Sequence, residues 1–191
     1  MSRTARWVVA IALAQAALAG VYWLVERHRP PTPGDALGTQ PPRRLDMPMP
    51  ALTVVRRDGS RAELAAGDRP TLVHVWATWC PPCRAELPSL LALPSHLDVA
   101  VVAIALDESW DDVEDHLKGP APASVVLADR HHVRDALEAR SLPVTFLLDR
   151  SGRLTLRFDG TRDWTDDAFL RTHLGRRRLA YFAWPSRPST D

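Results

Sequence analysis

The chain has 191 residues, of which 46% are hydrophobic and 25% charged, and its formal net charge at pH 7 is +1. That length holds one domain plus extensions, and the apolar fraction is large enough to build a core. A net charge so close to zero gives no electrostatic basis for a nucleic-acid partner, and we expect none. Two cysteines are too few for a secreted fold that disulfides hold together.

The N-terminal region contains a long apolar segment, WVVAIALAQAALAGVYWLV, at residues 7–25. As a helix this segment reaches about 28 Å, close to the thickness of a bilayer's hydrocarbon core. Trp7 and Trp23 lie near its two ends, where aromatic rings favour the membrane interface. We therefore predict a signal anchor over residues 1–29, a single transmembrane helix that contacts the lipid bilayer through residues 7–25.

Two alternatives stay open for this segment. The small residues Ala17-Leu18-Ala19 resemble the cleavage site of a signal peptide, and an apolar helix is also found buried in soluble domains. The apolar run continues to Val25, however, which favours an uncleaved anchor. Lysine and arginine are more frequent after the segment than before it, so the positive-inside rule does not favour an extracytoplasmic C-terminal domain.

Three further regions follow the predicted anchor. Residues 30–50 are rich in proline and lack apolar periodicity, which predicts a semi-extended linker. Residues 51–175 have globular patterning and form one predicted domain. Residues 176–191 are basic and aromatic, then rich in proline and serine, and we interpret them as a frayed or loosely docked tail.

Within the predicted domain, β-branched apolar runs alternate with stretches of helical period. In chain order they predict a hairpin around Asp58-Gly59, a strand at 71–77, a helix from Cys80, a strand at 99–106, a helix capped by Ser109, a strand at 123–128, a helix at 131–139, a hairpin of strands 143–149 and 153–159, and a helix at 164–174. Such alternation indicates an α/β fold. The order is compatible with a thioredoxin-like fold, a central mixed sheet flanked by helices, with an N-terminal β-hairpin and an inserted helix and strand.

Both cysteines lie in WATWCPPCRAEL, residues 76–87, where a buried strand is followed by a helix. The helix dipole and the free amides at the helix start favour the thiolate form of Cys80. Cys83 follows one turn later on the same side and can reach the first sulfur. This arrangement predicts a redox-active disulfide, Cys80–Cys83, with no other cofactor: Cys80 attacks a disulfide and Cys83 resolves the mixed disulfide.

Two other uses of the cysteine pair are weaker. A structural disulfide across so short a ring constrains the unfolded chain little and is a poor stabiliser. A structural zinc site needs four ligands, whereas the sequence has no second CxxC and no suitably spaced histidine pair. We therefore predict no metal.

Two segments, WATWCPPCRAELP and SLPVTFLLDRSGRL at residues 141–154, resemble the membrane-anchored TlpA/ResA/CcmG-like thiol:disulfide oxidoreductases. The resemblance implies a domain on the extracytoplasmic side of the inner membrane. It also implies a protein disulfide substrate, either apocytochrome c or a copper-site assembly protein, and a membrane thiol electron donor. Because the family works in that compartment, we predict this topology against the charge count.

The resemblance also implies roles for individual residues. Cys80 matches the exposed nucleophile and Cys83 the buried resolving thiol. Trp79 and Pro81 flank the nucleophile, although ordinary surface packing is an alternative for Trp79. Leu142 and Pro143 match the segment before and at the family's cis-proline, which binds the extended chain of a substrate.

Glu86 and His74 are the other candidate catalytic residues. Glu86 lies at a position where the family carries a functional acid; if it is buried, its pKa should be raised, and if not it is a solvated helix carboxylate. His74 is a departure, because thioredoxins proper carry an acid at this position and relatives of this subgroup often carry an amide. It is either a proton shuttle beneath Cys83 or a hydrogen-bonded core histidine.

Two other functions fit the sequence less well than disulfide exchange does. A Cu(I) metallochaperone would use Cys80, Cys83 and His74 as ligands, but the copper-delivering relatives use CxxxC spacing. A thiol peroxidase would need a proline- and threonine-rich loop before a lone cysteine, and Thr78 alone is too little. Disulfide exchange in the reducing direction is therefore the predicted activity.

The two prolines between the cysteines generate a testable expectation. Pro81 and Pro82 lack backbone N–H groups, so the thiolate of Cys80 should be less stabilised than in a Gly-Pro version, which favours a reductant. A thiol titration of the reduced protein should find Cys80 still largely protonated at about pH 6. A thiol that is fully ionised there would contradict this account.

Overall fold

A computed structural model describes residues 40–175 and, before them, only the helical residues Gln15 and Gly20. Apart from these two residues, the predicted anchor lies outside the described residues, as does the tail at 176–191. Within the described part, no helix combines the length and apolar character needed to cross a membrane. Contacts divide the chain into two compact units, Met1–Ala36 and Leu37–Asp191, and the fold below belongs to the second.

The domain is built on one mixed sheet with the strand order β1-β8-β7-β4-β5-β6-β2-β3. The strands are β1 (Arg43–Pro48), β2 (Thr53–Val55), β3 (Arg61–Glu63), β4 (Thr71–Trp76), β5 (Ala100–Ala105), β6 (Val125–Leu127), β7 (Val144–Leu148) and β8 (Arg153–Asp159). The central strand β4 runs parallel to β5 and antiparallel to β7. All six residues of β4 are buried, as its continuous apolar run predicts.

Four α-helices accompany the sheet: α1 (Pro81–Ala92), α2 (Trp110–Leu117), α3 (Arg130–Ala136) and α4 (Asp167–Leu174), with a 3₁₀ turn at Leu93–Ser95. The predicted order of strands and helices, including the β2–β3 hairpin and the inserted α2 and β6, is confirmed. Ser109 caps α2 as predicted, since its hydroxyl accepts a hydrogen bond from the Asp112 N–H.

The prediction of a linker through residue 50 was wrong at its C-terminal end. Arg43–Pro48 forms strand β1, which pairs antiparallel with β8 and extends the sheet. The sequence pattern does not predict this strand, because most of its residues are exposed and no buried face imposes an alternation of apolar residues. Arg153 of β8 also forms an ion pair with Asp46 of β1.

Two apolar clusters make up the core, and helix α1 contacts both. Leu87 belongs to the larger cluster, while Leu90 belongs to a second cluster that also contains Phe158 and Trp164. Because the helix begins at the reactive cysteines, these leucines fix the position of the catalytic segment relative to the sheet.

The neighbouring leucines of α1 provide a matched test of this packing. Leu90 is 0% exposed, whereas Leu91 is only partly buried. We expect Leu90→Ala to lower the free energy of unfolding by about 3 kcal/mol and Leu91→Ala by only about 1 kcal/mol. Chemical denaturation of the full-length variants measures both, and equal losses would contradict the assigned helix orientation.

Candidate active site at the start of helix α1

The two cysteines form a disulfide at the junction of β4 and α1. The S–S distance is 2.05 Å and the two Cα atoms lie 5.3 Å apart. Cys83 is fully buried, as expected, but Cys80 is only 6% exposed, so the implied exposed nucleophile is largely covered in this oxidised state. The Cys80 side chain points back towards helix α1 and is bonded to the buried Cys83, which explains its low exposure.

The start of α1 has the predicted capping geometry. Cys80 occupies the N-cap position, with Pro81 and Pro82 at the first helical positions, where an amide hydrogen is not needed. The backbone N–H of Cys83 points at the Cys80 sulfur over 3.4 Å. A sulfur in this place therefore interacts with the positive end of the helix, which favours its anionic form.

The loop before Cys80 is held by Asp107, a residue that sequence analysis missed. The hydroxyl of Thr78 donates to Asp107 Oδ1 over 2.6 Å, and the Thr78 backbone N–H donates to the same carboxylate. Asp107 directly follows the predicted strand that became β5, and no spacing rule connects it to the cysteines. The contact fixes the backbone immediately before Trp79 and Cys80.

Trp79 is 55% exposed, one of two large apolar side chains that are exposed in the described part of the chain. The guanidinium of Arg130, at the start of α3, lies 5.0 Å from the centre of the indole ring. This cation–π contact holds the ring beside the disulfide. The indole is therefore exposed and held in a defined orientation.

The Leu142–Pro143 peptide bond is cis, as the resemblance implies. Pro143 precedes β7, and Val144 pairs with Val75 near the end of β4, so this segment lies at the same end of the sheet as the disulfide. The carbonyl of Pro143 accepts a hydrogen bond from Gly160 over 2.9 Å. Leu142, the residue before the cis-proline, is half-buried.

Arg157, a second missed residue, holds the loop that leads to this segment. The Arg157 guanidinium donates to the carbonyl oxygens of Leu137 and Glu138 over 3.1 and 3.2 Å. It also forms an ion pair with Asp159 over 2.7 Å. The side chain is 7% exposed, so these bonds are made in a largely dry environment and are stronger than surface contacts.

Glu86 is buried, as its predicted role requires, with 4% of its surface exposed. Its Oε2 accepts a hydrogen bond from the backbone N–H of Arg162 over 2.6 Å. Burial raises the pKa of the carboxyl to about 7, although the Arg162 hydrogen bond opposes the shift. The solvated-carboxylate alternative is therefore wrong. Arg162 lies 76 residues away in sequence, so no local pattern indicates this contact.

His74 is fully buried in β4 and faces this carboxyl. Its Nδ1 is hydrogen-bonded to Thr145 Oγ1 over 2.9 Å, and its Nε2 lies 3.7 Å from Glu86 Oε1. Burial lowers the pKa of the imidazole to about 3, so the ring is neutral at physiological pH. The hydrogen-bonded core histidine, one of the two predicted alternatives, is present, whereas a ring that stays neutral at physiological pH gives no support to the proton shuttle beneath Cys83.

The described residues contain no group of three His, Cys, Asp or Glu side chains arranged to hold a metal ion.

Comparison with known proteins assigns the domain. The Redoxin family profile matches residues 44–174. The chain therefore belongs to the Redoxin family.

Individual relatives agree with this assignment. Thiol-disulfide oxidoreductase ResA of Bacillus subtilis is 31% identical over 109 residues, which cover 54% of this chain and 61% of ResA. Thiol:disulfide interchange protein DsbE of Pseudomonas fluorescens is 28% identical over 179 residues, which cover 85% of this chain and 91% of that protein. The chain thus spans less than two thirds of ResA.

A solved structure shares the fold. The thiol:disulfide interchange protein of the thioredoxin family from Chlorobium tepidum has a TM-score of 0.51 and 25% sequence identity, and the match covers 68% of this chain and 97% of that one. The domain therefore has the thioredoxin-like fold that the order of its elements predicts.

The burial of Glu86 predicts how stability depends on pH. Since its pKa is raised from 4.5 to about 7, the unfolded chain releases this proton first, and the folded state loses stability as pH rises through that interval. We expect Glu86→Gln to raise the free energy of unfolding by about 1–3 kcal/mol at about pH 8 and to change it little at about pH 5. Urea denaturation at both pH values provides the measurement.

Glu63 is an exposed acid in β3 and supplies the matched control. In Glu63→Gln, the free energy of unfolding should change between the two pH values by the same amount as in the unmodified protein. If Glu86→Gln behaves in the same way as Glu63→Gln, the buried carboxyl does not titrate as described.

Proposed function

We propose that the protein is a thiol:disulfide oxidoreductase that exchanges its Cys80–Cys83 pair with the disulfide of a protein substrate. The observation that carries the proposal is the position of the pair: the disulfide caps helix α1, with Cys83 and Glu86 buried behind it. The names of ResA and DsbE, which describe disulfide chemistry, support the same activity.

In the reducing direction, the thiolate of Cys80 attacks one sulfur of the substrate disulfide. A mixed disulfide forms and the other substrate sulfur leaves as a thiolate. Cys83 then loses its proton and attacks the Cys80 sulfur, which restores the internal disulfide and releases the second substrate thiolate. Two electrons pass to the substrate, and its two thiolates take protons from the solvent.

Glu86 is the proposed acceptor of the Cys83 proton. It lies three residues after Cys83 on α1, a spacing that places two side chains on the same helix face. Its pKa of about 7 allows the carboxyl to accept and release a proton near physiological pH, as a general base requires. An acid with an ordinary pKa would be too weak a base for a buried thiol.

Trp79, Pro81, Leu142 and Pro143 form the proposed substrate-binding surface beside the disulfide. The exposed indole and the backbone of Leu142 lie at the same end of the sheet. An extended substrate chain can pair with the Leu142 backbone while its cysteine reaches Cys80. The Arg130 and Arg157 contacts hold the two sides of this surface in place.

The finer proposal concerns compartment and partners. We place the domain on the extracytoplasmic side of the inner membrane, tethered by the apolar segment at residues 7–25. There it reduces apocytochrome c or a copper-site assembly protein and is itself re-reduced by a membrane thiol donor. The resemblance of the cysteine-containing and proline-containing segments to the membrane-anchored family supports this assignment.

A trapping experiment tests the proposal. In Cys83→Ser the mixed disulfide cannot be resolved, because the attacking sulfur is missing. We expect the full-length variant, expressed in its own host, to accumulate reductant-sensitive adducts at Cys80, which mass spectrometry identifies as extracytoplasmic proteins. The double variant Cys80→Ser, Cys83→Ser is the control and should form none.

An absence of adducts, together with unchanged disulfide reduction by Cys80→Ser in vitro, would overturn the proposed activity. Adducts with cytoplasmic proteins alone would overturn the compartment and leave the chemistry intact.

A further inference from the structure

His74 and Glu86 present two buried polar atoms that face each other. By hydrogen-bond geometry neither His74 Nε2 nor Glu86 Oε1 has a partner among the described residues, although the Trp164 side chain also interacts with the Glu86 carboxyl and lowers its pKa. The two atoms are 3.7 Å apart, and both side chains are at most 2% exposed. Unpaired buried polar atoms are costly, and a shift of less than about 1 Å would bring this pair to hydrogen-bond distance.

The other ring nitrogen of His74, Nδ1, is hydrogen-bonded to the Thr145 hydroxyl, which can either donate or accept. Thr145 lies directly opposite His74 in the β4–β7 pairing, and its hydroxyl is 2.9 Å from Nδ1. A hydroxyl both donates and accepts, whereas each nitrogen of a neutral imidazole does only one of these at a time. Thr145 therefore satisfies Nδ1 in either tautomer of the ring.

We propose that His74 is a positioning residue for Glu86 whose imidazole changes tautomer when that carboxyl gains or loses its proton. With Glu86 ionised, Nε2–H donates to Oε1 while Nδ1 accepts from the Thr145 hydroxyl. With Glu86 protonated, the acid O–H donates to Nε2 while Nδ1–H donates to Thr145. The pair gains one proton in total, and His74 Nε2, His74 Nδ1 and Glu86 Oε1 are paired in both states.

The groups around the pair are consistent with a neutral ring in both states. Cys83 lies on the same helix as Glu86, and Arg162, from the segment after β8, presents its backbone N–H to Oε2. The Arg162 guanidinium adds a positive charge near Glu86, which favours the ionised acid but not a second cation. The low pKa of the His74 imidazole agrees with this arrangement.

This inference rests on the proposed function, because it explains how the acid that takes the Cys83 proton can change charge inside the core. A buried acid that alternates between its ionised and protonated forms needs a hydrogen-bond partner that can satisfy both forms. An additional acid in place of His74 would repel the ionised form, and an apolar residue would satisfy neither form.

Nitrogen NMR of the full-length protein labelled with ¹⁵N-histidine tests the inference, because the shifts of the two ring nitrogens report the tautomer. We expect His74 to carry its proton on Nε2 at about pH 9 and on Nδ1 at about pH 5, with no imidazolium in between. The midpoint should coincide with the titration of Glu86, near pH 7. A single tautomer throughout, or an imidazolium forming near pH 6.5, would overturn the inference.

Three variants sharpen the test. Glu86→Gln removes the titrating group and should leave one tautomer at every pH. Thr145→Ser keeps the hydroxyl and should keep the switch. Thr145→Val should hold the Nε2–H tautomer on both sides of the transition, because a buried Nδ1–H would then lack an acceptor.

Failure of the inference can be told apart from failure of the proposed function. If His74 keeps one tautomer while Glu86→Gln still removes the pH dependence of the Cys83 resolution step, only the inference is wrong. If Glu86→Gln resolves mixed disulfides with the rate and pH dependence of the unmodified protein, the proposed role of Glu86 is wrong as well.

Discussion

The pairing of β4 with its two neighbours is the constraint on which the site depends. Every residue of β4 is buried, and its register sets His74 opposite Thr145 and Val75 opposite Val144. The strand then delivers Cys80 to the start of α1, while β7 begins beside it directly after the cis-proline. A slip of one residue would exchange the faces of the strand and remove His74 from Glu86.

Burial shifts the two titratable groups behind the disulfide in opposite directions. It raises the pKa of Glu86 and lowers that of His74, because in each case the charged form is the one that loses its hydration. The fold thus places an acid whose pKa is raised to about 7 next to a ring that stays neutral. Ionisation of the buried acid costs stability, which accords with the proposed role of Glu86 in proton transfer.

Much of the fold could be predicted, because β4, β5, β7 and β8 have apolar runs whose period identifies them without tertiary information. The same holds for the helix start at Cys80, where a cysteine followed by two prolines suits an N-cap. The contacts of Asp107, Arg157 and Arg162 could not be predicted. Each joins segments well separated in sequence, and long-range pairing leaves no periodic pattern. Strand β1 was missed for a related reason, since an exposed edge strand needs no apolar face.

The sequences of the two edge strands affect how the domain can contact other chains. The outermost strand β1 carries Arg43, Arg44 and Asp46 and ends at Pro48, and the opposite edge strand, β3, is only three residues long. Short, charged or proline-terminated edges discourage a foreign strand from adding to the sheet. If extended polypeptides bind at Leu142, as the proposed function requires, these edges disfavour their binding elsewhere on the sheet. The same edges also make the sheet a poor template for aggregation.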